Sequence, residues 1–140
     1  MNVRGLLIVG ADNHTKGVGD RLADFVLEHN IHGILIQSMY FVPGTPVYEA
    51  NKDRLLHKNW AKYNGNVVHY PQNITPYNLQ KEIIRAIDRI YSAKRLFHTL
   101  LHKKWIHKVL FIGEYFWQKS VRADLKRELP YLKDLETGVK

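Results

Sequence analysis

The stretch Gly33-Ile34-Leu35-Ile36-Gln37-Ser38-Met39-Tyr40-Phe41-Val42-Pro43-Gly44-Thr45-Pro46 decides how this chain is read. It starts as a short apolar run, turns polar at Gln37 and Ser38, and ends in a Pro-Gly-Thr-Pro turn. A buried strand of about Gly33 to Tyr40 is expected, delivering polar groups at its carboxyl end, which is where open α/β sheets and barrels build their sites. Upstream, Arg4-Gly5-Leu6-Leu7-Ile8-Val9-Gly10-Ala11-Asp12 reads as another strand. Its continuous apolar run suggests burial on both faces.

Between these runs lie a polar loop, Gly10 to Thr15, and a helical pattern from about Gly19 to Asn30. Leu22, Phe25 and Val26 share one helix face, Asp20, Arg21, Asp24 and Glu28 the other, and Asn30 suits a C-terminal cap. Strand, loop, helix and strand make a βαβ unit, so the two strands should be parallel with a right-handed crossover. Gly10 would let the backbone approach a ligand, while Asp12, Asn13 and His14 occupy a loop that faces a ligand or caps the following turn.

Beyond Thr45 the pattern weakens. A short helix is expected within Val47–Leu56, a turn at Trp60–Tyr63, and an extended edge segment at Val67–Tyr70. Thr75-Pro76 then opens a clear helix, with Thr as N-cap and Pro at the first position. Leu79, Ile83, Ile84, Ile87, Ile90 and Tyr91 form its apolar stripe. A second long helix is predicted from about Ala93 to Phe116, apolar along Leu96, Phe97, Leu100, Leu101, Trp105, Val109, Leu110 and Phe116, and basic elsewhere. A short last segment, Val121 to Leu129, should end at Pro130. The fold class is α/β: two or three mainly parallel strands followed by C-terminal α-helices.

At 140 residues with a hydrophobic fraction of 45%, the chain suits one compact core rather than disorder. No apolar run approaches the roughly 20 residues that span a bilayer, and the four-residue apolar start is short of a signal peptide, so a cytoplasmic location is expected. The absence of cysteine excludes disulfides, Cys-ligated zinc and an iron–sulfur cluster held by this chain alone. The net charge of +8 favours an acidic partner. The basic segment 93–116 fits a solvated amphipathic helix or an anionic membrane surface; nucleic acid is disfavoured because no recognition motif is present. His98 and His102 have the i, i+4 spacing of metal ligands, but no Glu follows in the metalloprotease pattern, and Lys103 and Lys104 would repel a cation, so no metal is assigned. No Ser-His-Asp pattern, P-loop or dinucleotide fingerprint occurs.

Five motifs in order are more distinctive than any one of them: Leu7-Ile8-Val9-Gly10-Ala11-Asp12, Ile36-Gln37, Phe41 to Glu49, Trp60 to Gly65, and Thr75 to Gln80. Together they resemble radical S-adenosylmethionine (SAM) enzymes, most closely those with an N-terminal cobalamin-binding domain, and the similarity covers nearly the whole chain. The resemblance implies a partial (β/α) barrel, the last strands of a radical SAM domain, over 1–72, and a C-terminal helical extension over 73–140. It implies that Gly10 and Asp12 lie beside the SAM methionine or substrate. Gln37 and Ser38 would approach the adenine, with the Pro43, Gly44, Thr45 turn next to that pocket.

The family's Cys-x-x-x-Cys-x-x-Cys loop is absent, and its SAM-supporting Gly-x-Ile-x-Gly-x-x-Glu pattern keeps Ile8 and Gly10 but has Leu6 and Asn13 at the other two positions. What the resemblance implies is therefore a fragment, inactive alone and with no catalytic residue of its own. SAM, a 4Fe–4S cluster and, as in the cobalamin-binding members of the family, cobalamin would enter only when a partner chain completes the barrel. The expected partners are such a complementary half, or a second copy pairing through the unpaired sheet edges. The alternative is a stand-alone interaction or membrane-surface adapter that uses the basic helix 93–116.

Overall fold

The computed structural model describes residues 3–57, 59–102 and 104–138, with the His102 side chain outside that description. Strands β1 (Arg4–Val9) and β2 (Gly33–Ser38) pair in parallel, Arg4 opposite Gly33 through Val9 opposite Ser38. Helix α1 (Val18–Glu28) makes the crossover. It stops where expected: Asn30 takes a left-handed φ of 50°, its N–H bonds the Leu27 carbonyl at 3.3 Å, and the Ile31 N–H bonds Val26 at 3.0 Å. Those two bonds are a Schellman motif, and the two apolar residues it joins, Val26 and Ile31, are both buried.

After α2 (Pro46–Asn51) come two 3-10 turns, Lys52–Arg54 and Trp60–Lys62, and then the long helices α3 (Pro76–Ile90), α4 (Ala93–His102) and α5 (Trp105–Thr137). Helices α1 and α3 pack closely, because α1 carries Gly19 at the contact. A Cβ there would lie 2.2 Å from the Glu82 carbonyl oxygen, while the Gly19 N–H donates to Glu82 Oε2 at 2.9 Å. Val9, Ile34 and Ile36 of the sheet, Ala23 and Val26 of α1, Leu79, Ile83 and Ile87 of α3, and Phe111, Tyr115 and Leu125 of α5 share one core.

The expected two-sided burial of β1 does not occur. Leu6 and Ile8 are 61% and 59% exposed and Leu35 of β2 is also exposed, so one face of the sheet is bare. The helices lie on the other face, and side chains alternate across a strand, so an uninterrupted apolar run can have only every second residue covered. Phe25, expected on the inner face of α1, is largely exposed and packs on His29, ring centroids 4.5 Å apart.

The outer edge of β2 is closed by side chains rather than by a strand. The Ile34 N–H donates to Tyr91 Oη at 3.0 Å, and Gln118 Nε2 donates to the Ile34 carbonyl at 2.7 Å. Gln80, fully buried, ties the middle of the chain to this body. It accepts from the Val67 N–H at 2.9 Å and donates to Asn66 Oδ1 at 2.6 Å and the Leu125 carbonyl at 3.0 Å. The extended segment around Val67–Tyr70 pairs only at one antiparallel bridge, Leu55 with His69.

Two expectations about the C-terminal helices are corrected. The single helix over 93–116 is divided between α4 and α5, with Lys104 in an extended conformation. The break lets α4 fold back along α5, so that Arg95 reaches the Ile31 carbonyl at 2.8 Å and Ile90 at 3.1 Å. Pro130 does not end a short helix; it lies inside α5. An interior proline costs about 3 kcal/mol in a free helix. Here contacts on both sides hold the helix line: Glu128 with Lys62 at 2.5 Å, Leu132 in the interior, and Glu136 Oε1 accepting from the Tyr77 N–H at 3.1 Å.

Candidate functional site at the carboxyl ends of the strands

β1 ends at Val9, whose carbonyl accepts from the Met39 N–H at 2.6 Å, so both strands finish side by side. Gly10 follows with φ +100°, and a Cβ there would meet His69 Cε1 at 3.0 Å and Leu79 Cδ2 at 3.1 Å. The glycine is required by both the backbone angle and the close approach of an imidazole. His69 Nε2 donates to the Gly10 carbonyl at 2.9 Å, which fixes the proton on that nitrogen. Burial holds the imidazole below its ordinary pKa, and His69 is neutral near pH 7. On the other side, the Gly10 N–H donates to His14 Nδ1 at 3.1 Å.

Asp12 is the centre of a polar knot. Both of its carboxylate oxygens accept from Arg54, Oδ2 from Nη1 at 3.1 Å and Oδ1 from Nη2, and Oδ1 also takes the Gln72 N–H at 3.3 Å. Its backbone carbonyl accepts from Asn73 Nδ2 at 2.5 Å. Arg54 in turn donates to the Tyr70 carbonyl from Nε at 3.0 Å and Nη2 at 2.8 Å, and to Asn51 Oδ1 at 2.9 Å. Its guanidinium lies 5.9 Å from the Phe41 ring centroid. The fork geometry of arginine thus joins the loop after β1 to α2, Phe41 and the 69–73 segment. The Arg54 hydrogen bonds hold the Asp12 carboxyl below the usual carboxylate range, so it stays ionised.

The remaining sequence-derived candidates are more dispersed. Gln37 is half-buried and paired in register with Ile8, on the bare face of the sheet. Ser38 points into the interior, almost fully buried, and donates to the Met39 carbonyl at 3.4 Å. Pro43 and Gly44 form a type II turn, with Gly44 at φ +80° and the Thr45 N–H returning to the Val42 carbonyl at 3.2 Å. Thr45 Oγ1 accepts from the Tyr48 N–H at 3.2 Å and caps α2. The turn's groups bond locally, whereas Gly10 and Asp12 are brought together with Arg54, His69 and His14.

Arg54, His69 and Asn73 were not among the residues singled out by sequence. His69 stands in an apolar extended run, where a polar side chain signals a buried partner; Arg54, one of 21 lysines and arginines, carries no such signal. Chemically, the region offers a fixed carboxylate, a neutral buried imidazole and the Gln37 amide. Among the described residues, no group of three or more His, Asp and Glu side chains is placed to hold a metal ion.

No family model matches the chain, and no solved structure matches it. The chain is similar to bacteriochlorophyllide d C-12(1)-methyltransferase of Chlorobaculum tepidum, with 25% identity over 122 residues. The alignment covers 84% of this chain and 26% of that enzyme, so the chain spans about a quarter of the length of the curated relative it matches.

Proposed function

We propose that this chain is the C-terminal portion of a radical SAM enzyme, supplying part of a SAM- and substrate-facing surface that a complementary chain completes. The observation that carries this reading is the alignment: most of this chain corresponds to about a quarter of a methyltransferase. The ordered motifs resembling radical SAM enzymes point the same way. Two features of the fold support it. The parallel βαβ unit has a bare apolar face, and β1 has no further strand beside it among the described residues. Residues 1–72 are then the barrel part and 73–140 the helical extension.

The residues fit the two implied groups unequally. An iron–sulfur cluster finds no thiolate here, since the chain has no cysteine, so these residues would not hold it. For SAM, Gln37 on the bare face and the loop from Gly10 to Asp12 lie at the strand ends where a ligand would sit. Gly10 is closed on its Cβ side by His69 and Leu79, so a ligand approaches it from elsewhere. Asp12 acts as the ionised anchor that holds the loop in place through Arg54. The Pro43, Gly44, Thr45 turn frames the edge of that surface, and Ser38, buried on the covered face, supports the end of β2 from behind. Cobalamin belongs to the resembled group and has no assigned contact on this chain.

Co-expression with a chain that carries the three-cysteine loop and the missing strands tests the reading. A co-purifying complex that cleaves SAM under reducing conditions, and loses that activity when Gln37→Ala is introduced, supports it. Absence of both a complex and SAM cleavage overturns it.

A further inference from the structure

Helix α5 has two different outer faces. Its inner face is constant, with Phe111, Tyr115, Gln118, Leu125 and Leu132 buried along the whole length. After Ser120, the outward positions Ala123, Asp124 and Arg127 are small or charged, with Tyr131 and Leu135 less exposed apolar exceptions. Before Ser120 the same outward line is apolar: Trp105, Ile106, Val109 and Phe116 are all exposed, Trp105 to 73% and Phe116 to 63%. The folded-back α4 adds Phe97, 65% exposed, and Leu101. Apolar exposure of this kind, with the three large aromatics Phe97, Trp105 and Phe116, is not what the core needs, because the core is already served by the opposite face.

Its surroundings are of one charge. Residues 93–119 contain six lysines and arginines, of which Arg95 is turned inward onto the Ile31 and Ile90 carbonyls, against a single carboxylate, Glu114, which is paired with Arg4. Lys94, Lys104 and Lys119 are exposed and Lys108 is half-exposed around the apolar line. Exposed Trp and Phe flanked by lysines is the arrangement that lies in the interface plane of an anionic bilayer, the rings at the acyl boundary and the ammonium groups at the phosphates. No helix among the described residues is long and apolar enough to cross a membrane, so the contact would be peripheral.

We infer that the α4–α5 corner is a membrane-surface docking site for anionic lipid. The occupant is decided by charge complementarity: a net-positive rim around an aromatic patch is attracted to lipid phosphates, and is repelled by a second copy of the same patch, which rules against self-association through this face. This inference does not depend on the radical SAM reading, since it concerns the opposite end of the helical region from the strand-end loop.

Sedimentation of the full chain with phosphatidylcholine vesicles, and with vesicles that also contain phosphatidylglycerol, is the test. Binding is expected only with the anionic vesicles, together with a blue shift of tryptophan fluorescence. It should weaken severalfold on raising salt from 0.1 to 1 M, where the screening length falls from about 10 Å to about 3 Å. Phe97→Ser with Trp105→Ser should reduce partitioning by about tenfold or more through lost apolar burial, with an unchanged circular dichroism spectrum. Lys104→Glu with Lys108→Glu should remove it while leaving both rings intact. No sedimentation with anionic vesicles, or equal binding to neutral ones, overturns the proposal. So does a wild-type dimer in light scattering that Trp105→Ser dissociates, which would make the patch a protein interface.

Discussion

The two faces of the β1–β2 sheet are built from the same kinds of residue and have opposite surroundings. Ile34 and Ile36 point into a core shared with α1, α3 and α5, while Leu6, Ile8 and Leu35 stand exposed on the other face. The alternation of side chains along a strand is what separates them, and composition is not. The difference teaches that an uninterrupted apolar run in a strand does not by itself say which of its residues are covered.

Substitutions on neighbouring residues can break or sharpen that comparison. Ile36→Ala should cost about 2–5 kcal/mol in urea unfolding, the range for a truncated core isoleucine, whereas Leu35→Ala beside it should cost well under half as much. Equal losses would mean that the bare face is buried in solution. On the covered side, Gly19→Ala pushes a methyl group into the Glu82 carbonyl and should cost about 1–3 kcal/mol or more, since backbone rather than a flexible side chain stands in the way. A silent substitution there would show that α1 and α3 are not in contact.

Tyr91→Phe removes the partner of the Ile34 N–H and should cost about 1–2 kcal/mol at neutral pH. It should also change the alkaline response. Burial pushes the Tyr91 hydroxyl up from 10.0 to about 12, so the folded state keeps its proton while the unfolded chain loses it. That contribution is present below pH 10 and is lost between about pH 10 and 12. The wild type should therefore lose stability over that interval more steeply than Tyr91→Phe. The smallest effect belongs to the bare face: Ile8→Thr keeps a β-branched side chain and should change stability by no more than about 0.5 kcal/mol. If a barrel-completing chain covers this face, as proposed, the same substitution should weaken its capture in a pull-down.

Much of this architecture was legible. The βαβ unit followed from two apolar runs around one amphipathic helix, the α1 stop from Asn30, and the α3 start from Thr75-Pro76, whose hydroxyl accepts the Asn78 N–H at 3.3 Å. The strand-end loop was located through Gly10 and Asp12. Its actual anchor, Arg54, was not, because the ion pair joins residues 42 apart in sequence and nothing local marks one arginine among many. Pro130 misled for a related reason. Proline disfavours a helix locally, and contacts distant in sequence, Lys62 with Glu128 and the Tyr77 N–H with Glu136, together with the burial of Leu132, accompany α5 through it.

By itself, then, the sequence determined the βαβ periods, the caps and the turn: that β1 and β2 are strands, that α1 and α3 are helices, and that Pro43-Gly44 reverses the chain. These depend on residues within a few positions of one another, where sterics and local hydrogen bonds decide. Only the tertiary structure decided which face of each element is covered, that Gln118 and Tyr91 close the β2 edge, and that the apolar line of α5 stays outside up to Ser120. Those outcomes depend on what packs against an element, and periodicity is the same whether a stripe meets the core or the solvent.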